Sequence, residues 1–382
     1  MTPTNAREER GRAIANANGQ VRRLDDSRYQ VHSQSQDAWY EVIATELGWT
    51  CNCPDAFFRN ERCKHQFAVI ISRGIRQAVR AQVIIEPVSV SDCEFCHSKN
   101  LKRYGVRRNK SGAIQRFVCA DCHRTFSVNI GFEKMKHDPK GVVMAMQLYF
   151  SGESLRKTSE SLKMIGMDVS YRTVLNWISK YVGLMDKYLE RIMPNVSDTW
   201  RADELFVKFR GNRKYLFAMM DDETRFWIAQ EVADSKDKHD ASSLFRKSKE
   251  AIGRIPNTLI TDGLNSYSTS WHKEFEHGDS FSNPRNHIRE ISLKGTVHNN
   301  KMERLNGEVR DRERVMRGLK STNTPILTGL QIYHNFVRPH EALDGRTPAE
   351  NAGIRVEGDD KFMTLIQNAQ HQRCNRENEG HQ

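Results

Sequence analysis

Residues 296–321 read TVHNNKMERLNGEVRDRERVMRGLKS, and one carboxylate in that run, Glu303, stands at the head of a basic stripe. Wound as a helix at about 100° per residue, the segment sets Met302, Leu305, Val309 and Met316 on one side. Glu303, Arg310, Arg314 and Arg317 then fall within a narrow arc on the other. Alone, such a stripe is a solvated helix face. It becomes a site only if other segments supply partner carboxylates and a polyanion fills the stripe.

Partner carboxylates exist upstream. Residues 197–207, SDTWRADELFV, alternate as a strand with Asp203 inside it. RKYLFAMMDDETRFWIAQEVAD reads as a β-hairpin turning around residues 221–224, HDASSLFRKSKEAIG as a helix, and PNTLITDG as a short apolar strand ending in Asp262. Strand, hairpin, helix, strand and then the late helix of Glu303 is the order of an RNase H-like α/β domain. Such a domain gathers three acids from distant segments to hold two Mg2+ (or Mn2+) ions about 4 Å apart for phosphodiester chemistry. Three close carboxylates without cations repel one another. Glu204 falls on the opposite strand face from Asp203, and Asp221 and Asp222 lie where the hairpin must turn.

WRADELFVK, LITDG and HNNKMERLNGEVRDRERVMRGLKS resemble the three signature segments of DDE transposases, closest to the insertion-sequence six group. The pattern falls on Asp203 followed by Glu204, Asp262 followed by Gly263, and Glu303 preceded by Asn299 and Asn300. NFVRPHEALDGRTPAENAG, residues 335–353, resembles the carboxy-terminal segment of transposase and retroviral integrase catalytic domains. The resemblance implies a catalytic domain over residues 196–353 in which Asp203, Asp262 and Glu303 ligate the ions. It also implies cleavage at transposon ends followed by attack of the freed 3′-hydroxyl on target DNA. The interval from Asp262 to Glu303 is longer than in that group, so the loop SYSTSWHKEFEHGDSFSNPRNHIRE is expected to carry an insertion. Arg310, Arg314, Arg317 and Lys301 are candidate DNA contacts. The rival readings are a domesticated transposase acting as a DNA-binding regulator, and a nuclease that cuts without joining.

The first 130 residues hold seven of the eight cysteines. After a flexible segment expected at residues 1–28, short strands deliver Cys51 and Cys53, and Cys63 and His65 open the helical run QFAVIISRGIRQAV. Cys-x-Cys-x9-Cys-x-His can surround one Zn2+ with soft or borderline ligands. The arrangement resembles the SWIM zinc finger, placed at residues 29–85. Cys93, Cys96, Cys119 and Cys122 form two Cys-x2-Cys turns flanking a basic hairpin, the pattern of a zinc ribbon at residues 86–130. Two structural zinc ions are therefore expected.

Residues 135–193 contain three helical runs separated by glycine-bearing turns, the last capped by Ser170. They fit a helix-turn-helix with Tyr171, Arg172, Thr173 and Asn176 toward the major groove and Val174, Trp177 and Ile178 packed behind. Residues 354–382 read as a polar tail. The chain of 382 residues carries a formal charge of +11 and has no apolar run of about 18 residues. Together these features favour a cytoplasmic, nucleoid-associated protein that acts on double-stranded DNA, without a membrane partner, as a homodimer or higher assembly.

Overall fold

The computed structural model describes residues 6–17, 19–24, 27–45, 48–59, 61–79, 83–109, 112–127, 130–133, 135–275, 286–289, 299–316, 319 and 324–379, with the side chains of 74–79, 109, 112, 316 and 374–379 excepted. The chain forms two compact units, Met1–Ala81 with Glu290–Asn299, and Gln82–Arg289 with Asn300–Gln382.

In the first unit, α1 (Ala6–Asn16) precedes an antiparallel sheet ordered β1 (Val21–Arg23), β2 (Arg28–His32), β3 (Trp39–Thr45) and β4 (Gly48–Cys51). Next come α2 (Pro54–Arg59) and α3 (Lys64–Val79). Alternation along β2 turns Tyr29 and Val31 inward, where they meet Val42, Ile14, Ala68 and Val69. Residues 1–28, expected to be flexible, thus include a helix that contributes to the core. The lone Ile14 of α1 gives the sequence too weak an apolar period to reveal it. Close approach of α1 to α3 requires Gly11, since a Cβ there would lie 2.5 Å from Phe67 Cβ.

The second unit opens with β5 (Val83–Ile85), followed by a three-stranded antiparallel sheet of β6 (Leu101–Asn109), β7 (Gly112–Cys119) and β8 (Thr125–Ser127). Three helices come next: α4 (Pro139–Ser151), α5 (Leu155–Met164) and α6 (Tyr171–Leu189). Asp138, Ser154 and Ser170 cap them, each side chain accepting from a backbone N–H of the first turn.

The main sheet uses β9 (Thr199–Phe209), β10 (Asn212–Asp221), β11 (Trp227–Ala233), β12 (Thr258–Thr261) and β13 (Asn286–Arg289). Between these strands lie α7 (Lys238–Ile252) and α8 (Asn265–Glu274). Its order is β11-β10-β9-β12-β13, with β9, β10 and β11 antiparallel and β12 and β13 parallel to β9. That order, with helices against the sheet, is an integrase-like RNase H fold. The stretch after Asp262, expected to carry an insertion, forms α8 and β13 where it is described; residues 276–285 and 290 lie outside the described set.

After the sheet come α9 (Asn300–Met316), α10 (Pro325–Ile332), a π-helical turn (Tyr333–Val337), a 3-10 turn (Glu341–Leu343), α11 (Pro348–Asn351), β14 (Ile354–Val356) and α12 (Lys361–Glu379). The described part of the expected polar tail, residues 354–379, is therefore structured. β14 pairs in parallel with β5, and α12 buries Phe362, Leu365, Ile366 and Ala369. β5 likewise belongs to this unit, although the expected zinc finger was placed at residues 29–85. One continuous core joins α4–α6, α10, α12 and the sheet. Gly329 makes the helix packing possible, because a Cβ on it would stand 2.2 Å from Phe150 Cζ and 2.8 Å from Val182 Cγ2.

Candidate active site

Strand register brings the first two acids together. Thr258 lies opposite Thr199 and Ile260 opposite Arg201 in the parallel β12–β9 pair, so two further residues set Asp262 beside Asp203. Asp262 stands just past the end of β12, where Oδ1 accepts the Leu264 N–H at 3.0 Å as α8 begins. Asp203 Oδ1 accepts the Glu204 N–H at 2.9 Å, and Oδ2 accepts Asn306 Nδ2 at 2.9 Å. One ligand oxygen each from Asp203, Glu204 and Asp262 lies within 4.8 Å of the others. Burial pushes the Asp203 carboxyl up to about 7, with the neighbouring Glu204 charge adding to it.

Glu204 reaches this group from the other strand face, as the two-residue period requires. Asp203 meets Asn306 of α9, whereas Glu204 Oε2 accepts the Tyr267 hydroxyl of α8 at 2.8 Å and Oε1 accepts Lys236 Nζ at 2.6 Å. Lys236, Tyr267 and Asn306 escaped the sequence reading. Asn306 carried a signal, since it lies three residues after Glu303 and so shares its side of the helix. Lys236 sits in the charged loop DSKDKHD, where nothing distinguishes one lysine from the next.

Helix α9 is held along its length. Met302, Leu305 and Val309 are buried as the periodicity predicts; the side chain of Met316 lies outside the described residues. Lys301, expected on DNA, instead places Nζ 2.8 Å from Asp222 Oδ1, and Asp222 also pairs with the buried Arg201. An internal ion pair therefore occupies that ammonium. Asp221, next to it, accepts from Ser197 and Thr224 and closes the hairpin turn. Further along α9, Glu308 accepts from Arg338 Nη1 at 2.7 Å and bonds His334 Nδ1 at 2.8 Å. Arg312, buried behind the helix, donates to the carbonyls of Tyr149 and Glu153 where α4 ends.

Glu303 is exposed in the first turn of α9 and stands outside the 4.8 Å group. Asn306, one turn on, faces Asp203; its Oδ1 is buried with no hydrogen-bond partner. Arg310 and Arg314 are exposed on the solvent side, Arg314 paired with Asp311 at 3.4 Å. Arg317 lies outside the described residues.

The two cysteine clusters assemble as their spacings predict. Cys51 ends β4, Cys53 precedes α2, and Cys63 and His65 frame the start of α3; one ligand atom from each lies within 4.8 Å of the rest. His65 Nδ1 stands 3.9 Å from both Cys51 Sγ and Cys63 Sγ. A hydrogen bond from Cys51, helped by His65, pushes the Cys63 thiol down to about 4 against the effect of burial. Cys93, Cys96, Cys119 and Cys122 also fall within 4.8 Å. Their Sγ–Sγ distances of 3.6 Å are far longer than a disulfide and suit sulfurs at tetrahedral corners. His97 and His123 each follow a cysteine at φ 56° and 55°, in the left-handed turn of the knuckle.

On α6, Tyr171, Arg172 and Asn176 are exposed, Thr173 is half-buried, and Val174, Trp177 and Ile178 are buried. Farther along the same helix, Lys180 and Lys187, with Arg191 just past its end, line a groove of about 440 Å3 whose other wall includes Arg373 of α12.

Comparison with known proteins adds to this geometry. A family described as a DDE domain matches residues 197–340. The transposase for insertion sequence-like element IS431mec of Staphylococcus aureus is 27% identical over 112 residues, covering 28% of this chain and 48% of the relative. The chain thus spans about half the length of that relative. The insertion element iso-IS1N protein InsA of Shigella dysenteriae is 36% identical over 84 residues, covering 22% of this chain and 87% of InsA. The solved HTLV-2 integrase catalytic core domain in complex with magnesium is 15% identical with a TM-score of 0.30, over 41% of this chain and 95% of that one. That score bears no weight on the fold, which stands on strand order. No helix among the described residues is long and apolar enough to cross a membrane.

Proposed function

We infer, for a chain that belongs to the DDE transposases of insertion elements, that it binds the ends of such an element and catalyses phosphodiester cleavage and strand transfer on DNA. One observation carries this reading: Asp203 and Asp262 meet on adjacent parallel strands, beside a buried amide oxygen of Asn306 that lacks a partner. Hard oxygens facing one point suit Mg2+ or Mn2+. Asp203 and Asp262 would hold the ions, with Glu303 as the third acid. Two such ions, when bound, supply the charge that activates the attacking oxygen and stabilises the leaving one.

The remaining work falls to the chain's own side chains. Asn306 orients Asp203 through its amide N–H, and the Leu264 N–H fixes the rotamer of Asp262. The ties of α9 to Asp222, Arg338 and the end of α4 hold the Glu303 helix in place. The exposed Arg310 and Arg314, with Arg317, would follow the DNA backbone. Three lost phosphate contacts would lower the slope of log affinity on log salt by roughly 2 to 3.

The two cysteine clusters fit one structural Zn2+ each, the first as a SWIM-like finger and the second as a ribbon. Tyr171, Arg172, Thr173 and Asn176 would read the element's end, and the basic groove between α6 and α12 would take phosphate from the same duplex. Pairing two ends calls for a homodimer or larger assembly on DNA, which places the protein with the nucleoid. Incubating the full chain and Mg2+ with DNA that carries the flanks of its own gene tests the reading. Joined product is expected. Binding without cleavage would establish the regulator instead, and cleavage without joining the nuclease.

A further inference from the structure

We propose that Lys236 is the resident cation of the acidic site: it satisfies Glu204, keeps that carboxylate from ligating, and thereby sets how tightly Asp203 and Asp262 bind a divalent ion. The inference rests on the reading above that those two aspartates hold the ion.

Both oxygens of Glu204 already have partners, Lys236 Nζ at 2.6 Å on Oε1 and the Tyr267 hydroxyl at 2.8 Å on Oε2. The Glu204 side chain is 3% exposed, whereas that of Lys236 is 32% exposed. Lys236 is itself held. Its ammonium lies 5.2 Å from the Phe206 ring centroid and 5.0 Å from that of Tyr215, two rings packed 4.5 Å apart. Its backbone directly precedes Asp237, the cap of α7, which fixes where the side chain starts. Glu204 therefore sits within 4.8 Å of Asp203 and Asp262 and yet is already neutralised.

Two consequences follow from elementary electrostatics. An ion arriving at Asp203 and Asp262 meets two available carboxylates and the repulsion of a nearby ammonium, rather than three free carboxylates. Removing only the ammonium frees Glu204 and deepens the negative potential. Removing both charges leaves the local sum unchanged, so it isolates any role of Glu204 as a ligand.

Mn2+ binding to the full-length, zinc-loaded protein, followed by electron paramagnetic resonance of the free ion, reads these effects without reference to activity. Lys236→Met is expected to tighten Mn2+ binding by roughly fivefold or more, the scale of a partly solvated charge interaction. Lys236→Arg should stay within about twofold, because it keeps the charge. The double variant Glu204→Gln/Lys236→Met should stay within about threefold, and it serves the test even if Lys236→Met alone fails to fold. Unchanged or weaker binding in Lys236→Met, or a loss of about tenfold or more in the double variant, would overturn the proposal. Asp203→Asn is the separate control: if it binds Mn2+ as the wild type does, the reading of the aspartates fails, whatever Lys236 does.

Discussion

The cysteine ribbon and the acid site both gather metal-ligand side chains, but they stand on different foundations. In the ribbon the buried cluster is Cys93, Cys119 and Phe126, so two of its three buried residues are the proposed ligands themselves. Beneath the acid site lies a core that includes Trp200, Phe217, Trp227 and Phe245, none of which touches a metal's work. A hairpin of this size cannot bury enough apolar surface to hold itself together. With zinc on the four cysteines as proposed, the hairpin would need its ion in order to fold, whereas the proposed acid site would be held ready by its scaffold and would need an ion for chemistry. What the sheet cannot remove is the mutual repulsion of its buried carboxylates, visible in the raised Asp203 and in the Lys236 placed against Glu204.

Breaking the ribbon should give the larger effect. Cys93→Ser/Cys96→Ser is expected to release one zinc per chain, measured by plasma emission, and to abolish amide protection across β6, β7 and β8. Structural zinc contributes on the order of 10–16 kcal/mol in small domains, more than such a hairpin can replace. Thermal unfolding of the main sheet should change little. Unchanged zinc content would refute the ribbon site, and co-unfolding of β9–β13 would refute the contrast between the two regions.

A smaller effect sharpens the comparison from the side of the sheet. Burial holds His287, bonded at 2.9 Å to Thr261 Oγ1, and His340 each down at about 4, against an ordinary value of 6.5. In the unfolded chain each takes up a proton near pH 6.5, but in the fold only near 4. At these two histidines the unfolded state thus binds more protons across that window, so their own contribution to stability falls as pH drops from 6.5 to 4, opposite in sign to that of the raised Asp203. Between pH 6.5 and 4, His287→Phe, which keeps the ring against Trp271, should lose less stability than the parent chain, read as the midpoint of thermal unfolding against pH. An equal slope in the variant would remove His287 from the account.

The fold was legible where periodicity or ligand spacing spoke. Alternation marked β9, apolar spacing marked the packed face of α9, and Cys-x2-Cys turns marked the ribbon. It was illegible where apolar residues were sparse, as in α1 with its single Ile14, or where a polar composition hid an amphipathic face, as in α12. In the site, Asp262 drew notice as an acid closing a short apolar strand, and Asp203, inside β9, through the resemblance carried by WRADELFVK. Lys236 could not, because only tertiary structure brings a loop lysine under β9. Lys301 misled for the converse reason. Its helical position suited DNA, but a buried carboxylate, Asp222, stood closer, and sequence does not display buried anions.

Strand transfer by Asp262→Asn tests the central claim most directly. The side chain keeps its shape and its bond from the Leu264 N–H, but loses the charge that would hold an ion. Joined product should fall by roughly a thousandfold or more, the several kcal/mol that metal assistance supplies, while binding to the element's ends stays within about twofold. Strand transfer at the wild-type rate by that variant would contradict the account.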